Sequence, residues 1–436
     1  MLYTFYGDDF TGSTDVLESL ARAGVPAVLF LTPPRPEDLA EFPNIQAIGI
    51  AGDSRSRSPE WMSSNLPAIF RTLQSFGAPI VHYKTCSTFD SAPHVGSIGR
   101  ALELGIDTLH PRFVPIVVGA PHLGRYVVFG NLFARAGAEV HRIDRHPTMS
   151  RHPVTPMGEA DLRKHLALQT SLPIALLDLR DISSTALDTA LTTNPAAILF
   201  DGFDSASLSA TGVLLWHHAQ QQPLFAIGSS GLTESLIPTW RKQNLIPSNP
   251  PSPLNDSPLK TEQAPRPNQL LVVSGSCSPI TQQQIEHALA TGFHGIPLDA
   301  ATLLTDPSAL TSAVDQTLAA IAANKSPILY TALGPLSDST PPHADALGSA
   351  LGSLVERVIR HSPLRRVVLC GGDTSSHAIQ RLPIKALTAL SCLAPGAPLC
   401  RAHSPDPVFH DAEFVLKGGQ IGPVDFFERV RRAEAL

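Results

Sequence analysis

The chain has 436 residues, enough for two or three ordinary domains, and 43% of them are hydrophobic, enough for a sizeable core. A net charge of −6 argues against sequence-independent nucleic-acid binding through a basic surface. No apolar run approaches the ~20 residues needed to span a bilayer, and the five cysteines, at 86, 277, 370, 392 and 400, form no CxxC pair. Residues 1–9 lack the basic and apolar regions of a secretory signal. The expectation is a reduced, soluble, cytoplasmic protein with no membrane or nucleic-acid partner.

In the first half, strand-length apolar runs at 2–6, 26–31, 46–51, 79–84, 114–118, 173–178, 197–201 and 223–227 alternate with helix-length segments. Helices fit at 13–23, 58–76, 95–104, 205–220 and 231–241, and the first three end at Gly24, Gly77 and Gly105, the residue type that stops a helix. Residues 243–269 then carry seven prolines and little apolar content, as a linker does. Beyond it, strands are expected near 269–273, 327–331, 366–370, 397–402 and 413–416. Helices are expected near 280–291, 342–361, 375–381 and 423–433. The fold class is α/β, in two domains (1–242 and 269–436, joined by 243–268), each with a mostly parallel sheet covered by helices.

Three glycine- and serine-rich turns follow buried-strand patterns in the second half: VVSGSCSP (272–279), VVLCGGDTSS (367–376) and VLKGGQIG (415–422). A strand–turn–helix leaves backbone N–H groups free at a helix N-terminus, where they hold phosphate. Three in one domain point to a composite nucleotide site at the carboxyl edge of a sheet. Its candidate residues are Ser276, Ser278, Gly371, Gly372, Asp373, Thr374, Ser375, Gly418 and Gly419. There is no GxxxxGK[ST], GxGxxG or GxSxG, and no protein-kinase motif set.

In the first half, Gly7-Asp8-Asp9 ends the first strand. The acids either serve a substrate or cation, or one of them merely caps the next helix. Lys84 to Ser91 (KTCSTFDS) combines a lysine, hydroxyls and an acid, a mixture suited to a polyhydroxy carboxylate; a solvated polar loop is the alternative. Arg125, Arg145 and Arg151 are anion partners or solvated loop residues. His141, His146 and His152 match no tight zinc spacing. Gly228-Ser229-Ser230-Gly231 is a tight turn that can border the substrate.

Taken in order, GDDFTGSTD (7–15), KTCSTFDS (84–91), HPVTPM (152–157), GSSGL (228–232), SGSCSP (274–279), GGDTS (371–375) and KGGQIGPVDFF (417–427) resemble the four-carbon acid sugar kinases over nearly the whole chain. The resemblance implies an N-terminal acid-sugar-binding domain, a C-terminal nucleotide-binding domain and an active site in the interdomain cleft. ATP and Mg²⁺ are the implied co-substrates; a homo-oligomer is left open. Members phosphorylate 3-oxo-tetronate, D-threonate or D-erythronate, and one branch acts on 3-oxo-isoapionate. By motif, ATP would meet Ser276, the turn from Gly371 to Ser375, and Gly418-Gly419. The acid would meet Asp8, Asp9, Lys84, and Ser87, Thr88, Asp90 and Ser91. Beyond the motifs, Lys84 with Arg125 or Arg151 is expected to fix its carboxylate. Asp9 is the first choice for the residue that orients the acceptor hydroxyl and takes its proton, and Asp90 the second. Ser13 stands where many relatives have Ala. The segment 130–157 is longer than in many, which tilts the expectation toward the isoapionate branch. A non-catalytic sensor, or a phosphatase or lyase acting on a phosphorylated acid, would use similar turns; ATP or ADP binding separates the last two from a kinase.

Overall fold

The alternation of short apolar runs and helix-length segments gives an α/β architecture in the computed structural model, which describes residues 1–152, 154–249, 269–334 and 344–433. The chain divides into two units, one of residues 1–27 and 33–250, the other of 28–32 and 251–436. Most of the Pro-rich stretch expected as a linker, 250–268, lies outside the described residues, as do Pro153 of the HPVTPM motif and 342–343, the start of an expected helix.

The strands in chain order are β1 (Tyr3–Gly7), β2 (Ala27–Phe30), β3 (Ala47–Ala51), β4 (Ile80–Lys84), β5 (Val114–Val117), β6 (Arg125–Val128), β7 (Asn131–Ala136), β8 (Glu139–Arg142), β9 (Ile174–Leu177), β10 (Ala197–Phe200) and β11 (Leu224–Gly228). Then follow β12 (Leu271–Ser274), β13 (His294–Pro297), β14 (Pro327–Tyr330), β15 (Arg366–Cys370), β16 (Ala386–Cys392), β17 (Pro398–His403) and β18 (Glu413–Lys417).

The first unit's main sheet runs β3-β1-β4-β11-β5-β10-β9, with parallel pairings throughout. Its central strands are buried along their whole length because helices cover both faces. The helix Pro59–Ser75 shows how: Ser58 caps it, Pro59 opens it, and Met62, Leu66, Phe70 and Leu73 recur at helical spacing on its buried side. Register positions the site. Gly7 lies opposite Ala51 and Lys84, and Lys84 lies opposite Gly228. The loops after β1, β3, β4 and β11 therefore leave one edge together.

The segment 130–157, read as a long loop, contains structure that the sequence reading did not anticipate. β6, β7 and β8 form an antiparallel meander. Its first turn is Phe129-Gly130, both with positive φ, the backbone that a two-residue hairpin demands.

The second unit's sheet runs β13-β14-β12-β15-β18-β17-β16-β2. The pairings from β13 to β18 are parallel, and those among β18, β17, β16 and β2 antiparallel. β2, read as a strand of the first half, pairs Phe30 with Ala386 and Leu29 with Leu387, so residues 28–32 group with the second unit. β16 was not foreseen, because ALTALSC is rich in helix-favouring Ala and Leu. β13 (HGIP) is short and interrupted by Gly and Pro.

Candidate active site

Asp8 and Asp9 sit at the carboxyl end of β1 but have different surroundings. Asp9 is the N-cap of the helix Phe10–Arg22: its side chain accepts from the Gly12 N–H at 2.5 Å, from the Thr11 hydroxyl at 3.3 Å and from Arg55 Nη1 at 2.9 Å. The backbone of Asp8 is pinned, its N–H donating to Lys84 O (2.9 Å) and its carbonyl accepting from Arg55 N (3.0 Å). Its side chain is buried, and Oδ1 has no hydrogen-bond partner among the described residues. Desolvation first, and the Asp9 charge second, push the Asp8 carboxyl up to about 8, against the pull of Arg55 and Lys84.

Arg55 holds the cluster together. Its second nitrogen, Nη2, reaches Asp90 Oδ2 at 2.7 Å, so one guanidinium bridges Asp9 and Asp90. Asp90 also accepts from Thr88 Oγ1 (2.5 Å) and Thr155 Oγ1 (3.0 Å). Burial opposes its ionisation, but Arg55, Thr88 and the nearby His152 together bring its carboxyl down to about 2. Lys84 Nζ is buried beneath Gly12, 3.8 Å from Asp15. A Cβ added at Gly12 would fall 2.5 Å from Asp9 Oδ1 and 2.7 Å from that nitrogen, so a side chain there would push the two charged groups aside. The turn from Cys86 to Phe89 closes through a 3.0 Å backbone bond, with buried Phe89 held at φ 55. Such strain persists only where the surroundings over-determine it, and it clusters at functional loops.

The structure thus brings Asp8, Asp9, Lys84, Thr88 and Asp90 together around Arg55. Ser87 lies half-buried in the same turn. Ser91 faces away, bonded to His165 Nε2 (2.9 Å) and Gln169 Nε2 (2.8 Å). Arg125 lies near Cys86; its Nη1 donates to Leu123 O and Gly124 O, and its buried Nε has no described partner. Arg151 is exposed on the short turn Met149–Arg151. Arg55 and Thr155 were missed. The signal for Arg55 was present, since the polar GDSRS follows β3 at the same edge as the acid loop.

In the second unit, Ser274, Cys370 and Lys417 lie side by side at the ends of β12, β15 and β18, so the three turns share one edge. Gly371, at φ +108, donates its N–H to Lys417 O (2.9 Å) and caps the helix Gly372–Gln380 without a side chain. A Cβ at Gly372 would meet nothing within 4 Å, so that helix start is open. The side chain of Asp373 lies outside what is described. Thr374 packs against Gly275, and Ser375 is buried with its hydroxyl on Gly372 O (3.1 Å). Ser278 caps the helix Pro279–Ala290. Ser276 Oγ accepts from Ser278 N (3.3 Å) and donates to Thr281 Oγ1 (3.2 Å), which donates to Gly419 O (2.9 Å). The turn Gly418-Gly419 is thereby tied to the Ser276 turn. Two further groups complete the floor: Thr281, unforeseen from sequence, and Lys417 of the third turn, whose Nζ donates to Thr281 Oγ1 and Gly418 O, both at 3.1 Å. Among the described residues, no group of three or more His, Cys, Asp or Glu could hold a metal ion, and no helix is long and apolar enough to cross a membrane.

One edge thus gathers acids and cations fit for a small polar ligand, and the other gathers open helix starts fit for phosphate. That is the make-up of a two-domain protein that binds a sugar and a nucleotide. Residues 3–236 match the family model described as "Sugar-binding N-terminal domain", and residues 271–427 match "Nucleotide-binding C-terminal domain". The chain belongs to the four-carbon acid sugar kinase family. It is 42% identical to a 3-oxo-isoapionate kinase of Paraburkholderia graminis, across 99% of this chain and 94% of the relative. It is 28% identical to a 3-oxo-tetronate kinase of Pectobacterium atrosepticum, across 98% and 97%. A solved structure from Salmonella typhimurium LT2 shares the fold with a TM-score of 0.76 at 24% identity, covering 100% of both chains.

Proposed function

We propose that the chain transfers the γ-phosphoryl group of ATP to a hydroxyl of a small sugar acid, and that the acid is the branched 3-oxo-isoapionate or a close analogue. The observation that carries the substrate assignment is the 42% identity, along essentially the full length, to a relative of that name, against 28% to a 3-oxo-tetronate kinase.

The reaction asks mainly for alignment and charge neutralisation. Asp8 is the residue we assign to the acceptor hydroxyl. Its unpartnered Oδ1 is free to accept that hydroxyl, and a carboxyl poised near 8 can take the proton as the oxygen attacks phosphorus. Asp9, the choice from sequence, is committed to the helix cap and Arg55, and Asp90 is held at low proton affinity by Arg55 and Thr88. Those two acids instead fix the Arg55 guanidinium that shapes the loop. Lys84 and Arg125 are assigned to the carboxylate of the acid. The open N–H groups at Gly372 and beyond, with Ser276 and Gly418-Gly419, are assigned to the ATP phosphates. The oxygen donors at those turns, the hydroxyls of Ser276 and Thr374, suit Mg²⁺, a hard cation that keeps most of its waters and binds through phosphate oxygens. When bound, it would neutralise the charge on the transferring group.

The test is ADP release with ATP and Mg²⁺ against 3-oxo-isoapionate, 3-oxo-tetronate, and D- and L-threonate and erythronate. We expect kcat/KM to be highest for 3-oxo-isoapionate. Preference for a straight four-carbon acid would overturn the substrate assignment, and silence across the panel with no ATP binding would overturn the kinase reading.

A further inference from the structure

Lys417 is wholly buried, yet its described partners are all neutral. Its Nζ donates to the Thr281 hydroxyl and to the Gly418 carbonyl, and it lies 5.9 Å from the centre of the Phe426 ring. Among the described residues, the titratable group acting on it is the Cys370 thiol, which burial pushes up to about 11 and leaves neutral at physiological pH. An ammonium taken out of water without a counter-charge is costly. It also has three N–H donors, of which two are used among the described residues. Burial accordingly draws its proton affinity down from the ordinary lysine value. A fold that carries such a charge beneath three phosphate-type turns is incomplete until an anion arrives.

We propose that Lys417 is the counter-charge of the nucleotide's phosphate chain, acting from the floor of the site through its unused N–H and through the Lys417–Thr281–Ser276 hydrogen-bond chain. This rests on the reading that ATP binds at the turns of Ser276, Gly371–Ser375 and Gly418-Gly419. The site has no GxxxxGK[ST] lysine in its first turn. Here the charge comes instead from the end of β18, two strands away from the Ser276 turn.

The experiment compares the full-length wild type with Lys417→Met and Lys417→Gln, measuring ADP and adenosine affinity by calorimetry and apo melting midpoints. Loss of a charge-assisted phosphate contact should weaken ADP about 10- to 100-fold in both variants, leaving adenosine within about twofold. Because an unpaired buried charge is removed, the apo midpoint should hold or rise. Lys417→Gln retains hydrogen bonding to Thr281 and Gly418, so it carries the comparison if Lys417→Met does not fold. Unchanged ADP affinity would overturn the proposal and leave the nucleotide site standing. Equal loss of ADP and adenosine, with a lower apo midpoint, would make Lys417 a structural residue and also overturn it. A wild type that binds neither ligand would overturn the nucleotide reading itself.

Discussion

Two adjacent aspartates in one loop can have different surroundings because burial and partners are set atom by atom. Asp9 has an N–H, a hydroxyl and a guanidinium on its oxygens; Asp8 has an oxygen with none. If Asp8 acts on the acceptor hydroxyl, kcat/KM should climb with pH until about 8 and then level. Asp8→Asn should lower kcat about 100-fold or more, leave the KM for the acid within a few-fold, and lose that climb. An Asp8→Asn enzyme with wild-type turnover would remove Asp8 from this role. Stability runs the opposite way with pH. The folded carboxyl is raised, so its contribution is full below the unfolded value near 4 and is lost as pH rises through about 8; Asp8→Asn should flatten that decline in denaturant titrations. From sequence, the acid pair was visible and so was its ambiguity between capping and chemistry. Which acid does which depended on Arg55, which reaches Asp9 and Asp90 from the loop after β3.

At the scale of elements, the three glycine- and serine-rich turns were legible because such residues after a buried strand end it and open a helix. Gly371 tests that reading. A Cβ there would lie 3.4 Å from the nearest atom, Ser276 N, an ordinary contact, so space does not forbid alanine. The backbone does, because φ +108 is a region that L side chains rarely adopt. Gly371→Ala should cost about 1–3 kcal/mol in urea denaturation and weaken ADP binding as the helix start shifts. Unchanged stability would show that the turn relaxes without cost. Elements whose composition pointed the wrong way were hidden. β16 has helix-favouring composition, β13 is broken by Gly and Pro, and the β6–β8 meander lay inside a stretch whose histidines and arginines drew the eye to charge.

For the molecule as a whole, sequence order is an incomplete guide to what folds with what. The proline-rich stretch suggests a clean cut, yet the second unit takes its last strand from residues 28–32. A fragment of 269–436 alone leaves the β16 edge open, and unpaired edges template association. We expect this fragment to elute as oligomers on size exclusion. The same fragment with residues 27–32 fused by a flexible linker, which restores the β2–β16 pairing, should melt at a higher temperature. A monomeric, equally stable bare fragment would show that β2 is dispensable to the second unit.

The borrowed strand also sets a timetable for synthesis. β2 leaves the ribosome early, whereas its partner β16 lies more than 350 residues further on. At roughly 5–20 residues per second, β2 waits on the order of 20–70 seconds with its backbone donors and acceptors unpaired against β16. During that interval the nascent chain carries an apolar, strand-forming segment, Ala27-Val28-Leu29-Phe30, without the β16 partner it has in the folded chain. Output of folded enzyme in a cell should therefore depend on translation speed and on whatever shields that segment, rather than on the final stability of either unit alone.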